Sequence, residues 1–213
     1  IAMRKRFVWL ASVTALTAVV LVGPPALAKR SQAVEIGSFT GAYLAARVAE
    51  TDNDLDSAIT YYQRTLDFDP GDQQLQQSLM LAMISSGRFD ESLPYAEKLK
   101  AVPDVERFSR VALAVDAIRK KDYAGAEQLL NLTLESDLDK LISSLLTGWA
   151  KTGANKGADA LSDLDQLEGP EWFDLFKTYH RALIADVAGM ADDADTAYRA
   201  TIDNVAAGSA APE

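Results

Sequence analysis

Apolar residues recur through residues 39–205 at helical spacing, three and four apart, without the sustained alternation that a half-buried strand needs. Leu75, Leu79 and Met83 form one such stripe, and Phe173, Phe176, Tyr179, Leu183 and Val187 form another. Between stripes lie compact breaks, Gly87-Arg88-Phe89-Asp90 and Thr152-Gly153-Ala154-Asn155-Lys156-Gly157, of the length that joins paired helices. The pattern predicts an all-α chain.

The helices repeat. Ala58, Ser92, Ala126, Ala160 and Ala194 are small residues spaced 34 apart, each following a turn. Twelve residues upstream the same register gives Ala46, Met80, Ala114, Gly148 and Ala182. Four residues downstream it gives Tyr62, Ala96, Leu130, Leu164 and Tyr198. Asn53, Gly87, Lys121, Asn155 and Gly189 fall at the turns, where glycine and asparagine accept positive φ. Pro70, Pro103 and Pro170 stand near the ends of units. A single hairpin cannot bury its apolar face, so five of them must stack to form a continuous core.

This 34-residue pattern resembles the tetratricopeptide repeat over about residues 39–205. The resemblance implies a right-handed superhelical solenoid of about five antiparallel hairpins, near 39–72, 73–106, 107–140, 141–174 and 175–205. Small residues would sit where the two helices of a hairpin cross. The sequence departs from the family in helix A, where Ala42, Gln76, Arg110, Ser144 and Thr178 replace a bulky residue. Gly157 and Arg181 also stand where larger apolar residues are usual. In the family, helix A of each repeat lines a concave groove that takes partner peptides. Carried onto this chain, that groove comprises Tyr43, Arg47, Gln77, Leu81, Phe108, Val111, Val115, Leu145, Trp149, Tyr179 and Leu183, with Trp149 and Tyr179 as aromatic anchors.

The beginning of the chain reads as an address. Arg4-Lys5-Arg6 precedes an apolar run from Phe7 to Val22, Gly23-Pro24-Pro25 breaks it, and Ala26-Leu27-Ala28 offers a cleavage site. A secretory signal over 1–28 followed by a linker at 29–38 is expected, with Met3 as the natural start. The alternative is an uncleaved inner-membrane anchor facing the periplasm, for which the run falls short of about 20 apolar residues. No cysteine follows the run, which excludes a lipid-modified signal. The expected location is the periplasm of a bacterial envelope. At the other end, Tyr198 and Ile202 lead into residues 206–213 without the polar closing element such arrays carry, so a tail or a truncation point is expected there.

Composition adds exclusions. With no cysteine, thiol nucleophiles, zinc fingers and iron–sulfur sites are ruled out. The net charge is −10, and the only charges before residue 29 are the three bases named above. The remainder is therefore more acidic still, which disfavours nucleic acid. His180 is the only histidine and reads as a packed helical residue. Asp52-Asn53-Asp54-Leu55-Asp56 opens like a calcium loop, but Ser57 and Gln63 occupy its obligatory glycine and glutamate positions. Asp54 or Asp56 as a helix cap is the better reading. Asn131-Leu132-Thr133 matches a glycosylation triplet, discounted as mid-helical. No cofactor, metal or catalytic residue is assigned. The expected function is a non-catalytic scaffold binding protein or peptide partners, with membrane contact only through an uncleaved signal. The alternative is the accessory part of a larger envelope enzyme whose catalytic domain lies beyond Glu213.

Overall fold

The computed structural model describes residues 37–131 and 136–209. The signal expected over 1–28, residues 29–36 of the linker expected over 29–38, and residues 210–213 lie outside them. Among the described residues are ten helices and no strand: α1 (Phe39–Thr51), α2 (Leu55–Leu66), α3 (Gln73–Ser85), α4 (Phe89–Leu99), α5 (Glu106–Arg119), α6 (Tyr123–Leu130), α7 (Asp137–Gly153), α8 (Gly157–Asp165), α9 (Phe173–Val187) and α10 (Ala191–Ser209). They form five antiparallel hairpins, an all-α tetratricopeptide-like solenoid. The last helix continues to Ser209, beyond the unit end expected at residue 205.

Each hairpin turns in the same way. Asn53, Gly87, Lys121, Asn155 and Gly189 have φ of 57°, 80°, 64°, 61° and 74°. After each of them, the next amide reaches back over the helix end. Asp54 N donates to Ala49 O at 2.8 Å, Arg88 N to Met83 O at 2.8 Å and Asp122 N to Ala117 O at 2.8 Å. Lys156 N donates to Lys151 O at 2.9 Å, and Met190 N to Ala185 O at 2.8 Å. This is the Schellman closure, which satisfies carbonyls a helix end would otherwise leave bare. Helix starts are capped locally, as where the amide of Ser57 donates to Asp54 Oδ1 at 3.1 Å and that of Leu75 to Asp72 Oδ1 at 2.9 Å. Asp54 thus caps the start of α2 with Asp56 in its first turn, while Asp52 is the C-cap of α1. Asn131 is the C-cap of α6, not a mid-helical residue, because α6 ends at Leu130.

The small-residue column is the seam of every hairpin. Ala58, Ser92, Ala126 and Ala160 are fully buried and Ala194 nearly so. The core runs as a series of clusters, each joining neighbouring helices. Ile59 and Tyr62 meet Leu75, Leu79 and Met83 of the next hairpin, and Met80 and Ala96 meet Ala112 and Leu113. Ala114, Ala126 and Leu130 meet Ala150, and Leu161 and Leu164 meet Phe173 and Ile184.

The departures in helix A have physical roles. Arg110 donates from Nε to Leu129 O at 2.9 Å and from Nη2 to Gln128 O and Asn131 O, gathering the end of short α6. Gln76 donates to Pro70 O at 2.7 Å. Arg181 bridges Asp165 and Asp193, tying α8 to α10. Gly157 lies against α9, where a Cβ would come within 2.6 Å of the Ala188 methyl.

Candidate binding face

The first helices of the last three hairpins pack side by side, α5 on α7 and α7 on α9. Each presents one outward stripe, and the stripes are apolar. On α5 it runs Phe108 (45 % exposed), Val111, Val115 and Ile118. On α7 it runs Leu138 (55 % exposed), Ile142, Leu146 and Trp149; on α9 it runs Phe176, Tyr179, Leu183 and Val187 (69 % exposed). Phe108, Ile142 and Phe176 share one register position, and Val115, Trp149 and Leu183 share another. Removing these side chains from water is worth about 25 cal/mol per Å² of apolar surface, which solvent leaves unclaimed here. The first two hairpins are mixed: Thr40, Arg47, Gln74 and Gln77 are polar at corresponding places, Tyr43 and Leu81 are apolar there, and Leu44 and Val48 are exposed elsewhere on α1.

A cleft of about 330 Å³ opens in this face. Val115 and Ile118 form one wall and Leu146, Trp149 and Thr152 the other, with Tyr123 of α6 and Val187 of α9 closing the ends. Gly153 is required beneath it, because the Tyr123 ring occupies the space a Cβ would take. The Trp149 indole is fixed in place: Nε1 donates to His180 Nδ1 at 3.0 Å, and the two rings meet edge-on at 6.2 Å. Tyr179 meets the same imidazole edge-on at 5.6 Å. Accepting through Nδ1 leaves His180 as the neutral Nε2–H tautomer. Burial pushes its pKa below the ordinary value, in keeping with that state.

The eleven residues expected to line the groove divide in three. Phe108, Val111, Val115, Trp149, Tyr179 and Leu183 lie on the apolar face, exposed or half-buried, and Val115 and Trp149 also line the cleft. Tyr43, Arg47, Gln77 and Leu81 lie on α1 and α3, outside the apolar stripes. Tyr43 stacks on Phe39 with centroids 6.4 Å apart. Arg47 pairs with Glu50 at 2.6 Å, while the Tyr62 hydroxyl donates to that carboxylate at 2.8 Å. Leu145 does not belong to the groove. It is 9 % exposed and packs with Leu141, Leu161 and Leu164, because Leu141, Leu145 and Gly148 share the side of α7 turned to the core. Leu146 takes the outward place. Leu138, Ile142, Ile118, Tyr123, Phe176 and Val187 were not anticipated, although carrying Phe108 forward by the repeat length would have found Ile142 and Phe176.

A second hollow, about 370 Å³, lies beside Ser143, Ser144 and Thr147, where Ser144 leaves the room a bulky residue would fill. Its charged groups are engaged inward, Lys140 with Glu168 O at 2.5 Å and Asp163 with Lys151. Among the described residues no cluster of His, Asp and Glu could hold a metal ion, and no helix is long and apolar enough to cross a membrane.

The architecture is thus a tetratricopeptide-like solenoid with an apolar face on α5, α7 and α9. No family model and no curated protein matches the sequence. Solved structures match its fold. A crystal structure of MamA protein superposes with a TM-score of 0.63 at 13% identity, covering 78% of this chain and 90% of that one. The structure "MamA 41-end from Desulfovibrio magneticus RS-1" gives 0.61 at 11% identity, covering 80% and 94%. At such identities the likeness is one of fold.

Proposed function

We propose that this chain is a non-catalytic scaffold that holds partner proteins against the face built by α5, α7 and α9. One observation carries the reading: three adjacent helices expose aligned apolar and aromatic side chains around a cleft of about 330 Å³. Contiguous exposed apolar surface of this kind marks interaction sites, and aromatic anchors dominate their energetics. The lone histidine supports a structural role, since its Nδ1 is occupied by the Trp149 indole. The scaffold acts in the bacterial cell envelope, and the basic n-region, apolar run and Ala26-Leu27-Ala28 support export with cleavage after Ala28.

Two measurements test this. A photo-crosslinking residue placed at Phe176 should capture a discrete partner in cells, and the same residue at Glu97 on α4 should not. Identical capture from both positions would remove the face as the binding surface. The mass of the protein recovered from the periplasm should correspond to a chain beginning at Lys29; recovery from the cytoplasm with residues 3–28 intact would refute export.

A further inference from the structure

We infer that the partner segment this face takes is an amphipathic helix with one basic end. The inference rests on the proposed binding role of the face and specifies its occupant.

The helical form follows from the hydrogen-bonding character of the surface. A bound extended peptide would press its N–H and C=O groups against Phe108, Ile142, Leu146 and Leu183. Polar atoms at hand are few: Thr152 Oγ1 donates to Gly148 O at 2.7 Å and Trp149 Nε1 to His180, which leaves the Tyr123 and Tyr179 hydroxyls and His180 Nε2–H, too few to serve the backbone of an extended segment. Each backbone group left without a partner loses its hydration with nothing to replace it. A helix satisfies its own backbone and offers only side chains, so it is the form such a dry surface accepts.

The basic end follows from the rim. Where α5, α7 and α9 begin, carboxylates border the apolar stripes: Glu106, then Asp137, then Glu171 and Asp174. Asp137, Glu171 and Asp174 are exposed and enter no ion pair among the described residues. The bases on the same rim are turned inward. Arg107 pairs with Asp139 at 2.5 Å, Lys140 donates to Glu168 O and Lys177 donates to Leu167 O at 2.6 Å. This end of the rim therefore presents negative charge without its own counter-charge, which attracts Lys and Arg, whereas exposed Lys121 and Lys156 stand at the opposite end, where α5 and α7 finish.

The probes are three labelled model peptides: a Leu/Lys amphipathic helix, its Leu/Glu counterpart, and the Leu/Lys sequence with two central prolines. Binding to the full-length chain is followed by fluorescence anisotropy at low and high salt. The Leu/Lys helix should bind at least about tenfold tighter than the other two, and salt should weaken it. Asp137→Asn with Glu171→Gln and Asp174→Asn should reduce its affinity about tenfold. Neutralising Asp56 on α2, Asp67 at its C-cap and Glu97 on α4 should leave it unchanged, which separates the rim from general acidity. Phe108→Ser and Phe176→Ser, both at exposed positions, should each weaken it. Equal binding of the Leu/Glu peptide would overturn the charge assignment while leaving the face a binding surface. Equal binding of the proline peptide would overturn the helical form. Binding to phosphatidylglycerol vesicles, strengthened by the rim substitutions, would assign the face to a membrane instead. If no peptide binds while crosslinking from Phe176 still captures a partner, the occupant is wrong and the binding role stands.

Discussion

The contact between Trp149 and His180 makes one side chain of the cleft depend on the protonation of another. The imidazole can accept the indole proton only while neutral, and burial keeps it neutral to a lower pH than usual. Because the folded-state pKa lies below the unfolded value, acid protonates the unfolded chain first. This contribution to stability is complete above about pH 6.5 and declines as pH falls toward the folded-state pKa. The urea midpoint should therefore drop between pH 7.5 and 5, and drop less in His180→Asn, which keeps an acceptor without titrating there. Equal drops would mean that other groups set the acid response. Arg110 shows the opposite kind of legibility. From sequence it is a misfit in an apolar column; in the fold it gathers the carbonyls of Gln128, Leu129 and Asn131. Arg110→Leu, although closer to the repeat pattern, should destabilise by about 1–2 kcal/mol in chemical denaturation. A stabilised variant would show that the column preference outweighs the cap.

At the scale of the element, the turn between paired helices was the most legible feature. The closure needs one left-handed residue at a fixed place, and only a few residue types take that conformation easily, so glycine or asparagine marks it in the sequence at four of the five turns. Lys121 is the costly instance, a lysine at φ 64°. Lys121→Gly should raise stability by up to about 1 kcal/mol, offset in part by the greater freedom of glycine in the unfolded chain. A fall on chemical denaturation would mean that the lysine side chain contributes more than its backbone costs. The outward side of α7 was harder to read. Its apolar residues occupy both the core side, at Leu141 and Leu145, and the exposed side, at Leu138, Ile142 and Leu146. Periodicity alone cannot say which of two apolar stripes faces water. That choice is made by Gly148, which lets Ile184 approach to 3.2 Å of where its Cβ would be.

For the whole molecule, the serial arrangement of the core matters more than any single cluster. Each cluster joins a hairpin to its neighbour, so stability should be close to a sum of local terms. The repeat count made this architecture readable from sequence, because a fixed period is a property of the whole chain. The binding face was only half readable, since it arises where three particular units happen to be apolar on the same side. Leu164→Ala tests the coupling between the two. Leu164 is 1 % exposed in the cluster that joins α7, α8 and α9, and such a truncation costs about 2–5 kcal/mol. In a serial array the loss should stay near its origin. Hydrogen exchange should rise sharply in α7–α10, while α1–α4 keep their protection. Partner binding should then fall even though α5 remains folded, because two of the three stripes belong to the loosened hairpins. A uniform rise in exchange from α1 to α10 would show instead that the five hairpins fold as one cooperative body, and the face would then be only as stable as the whole.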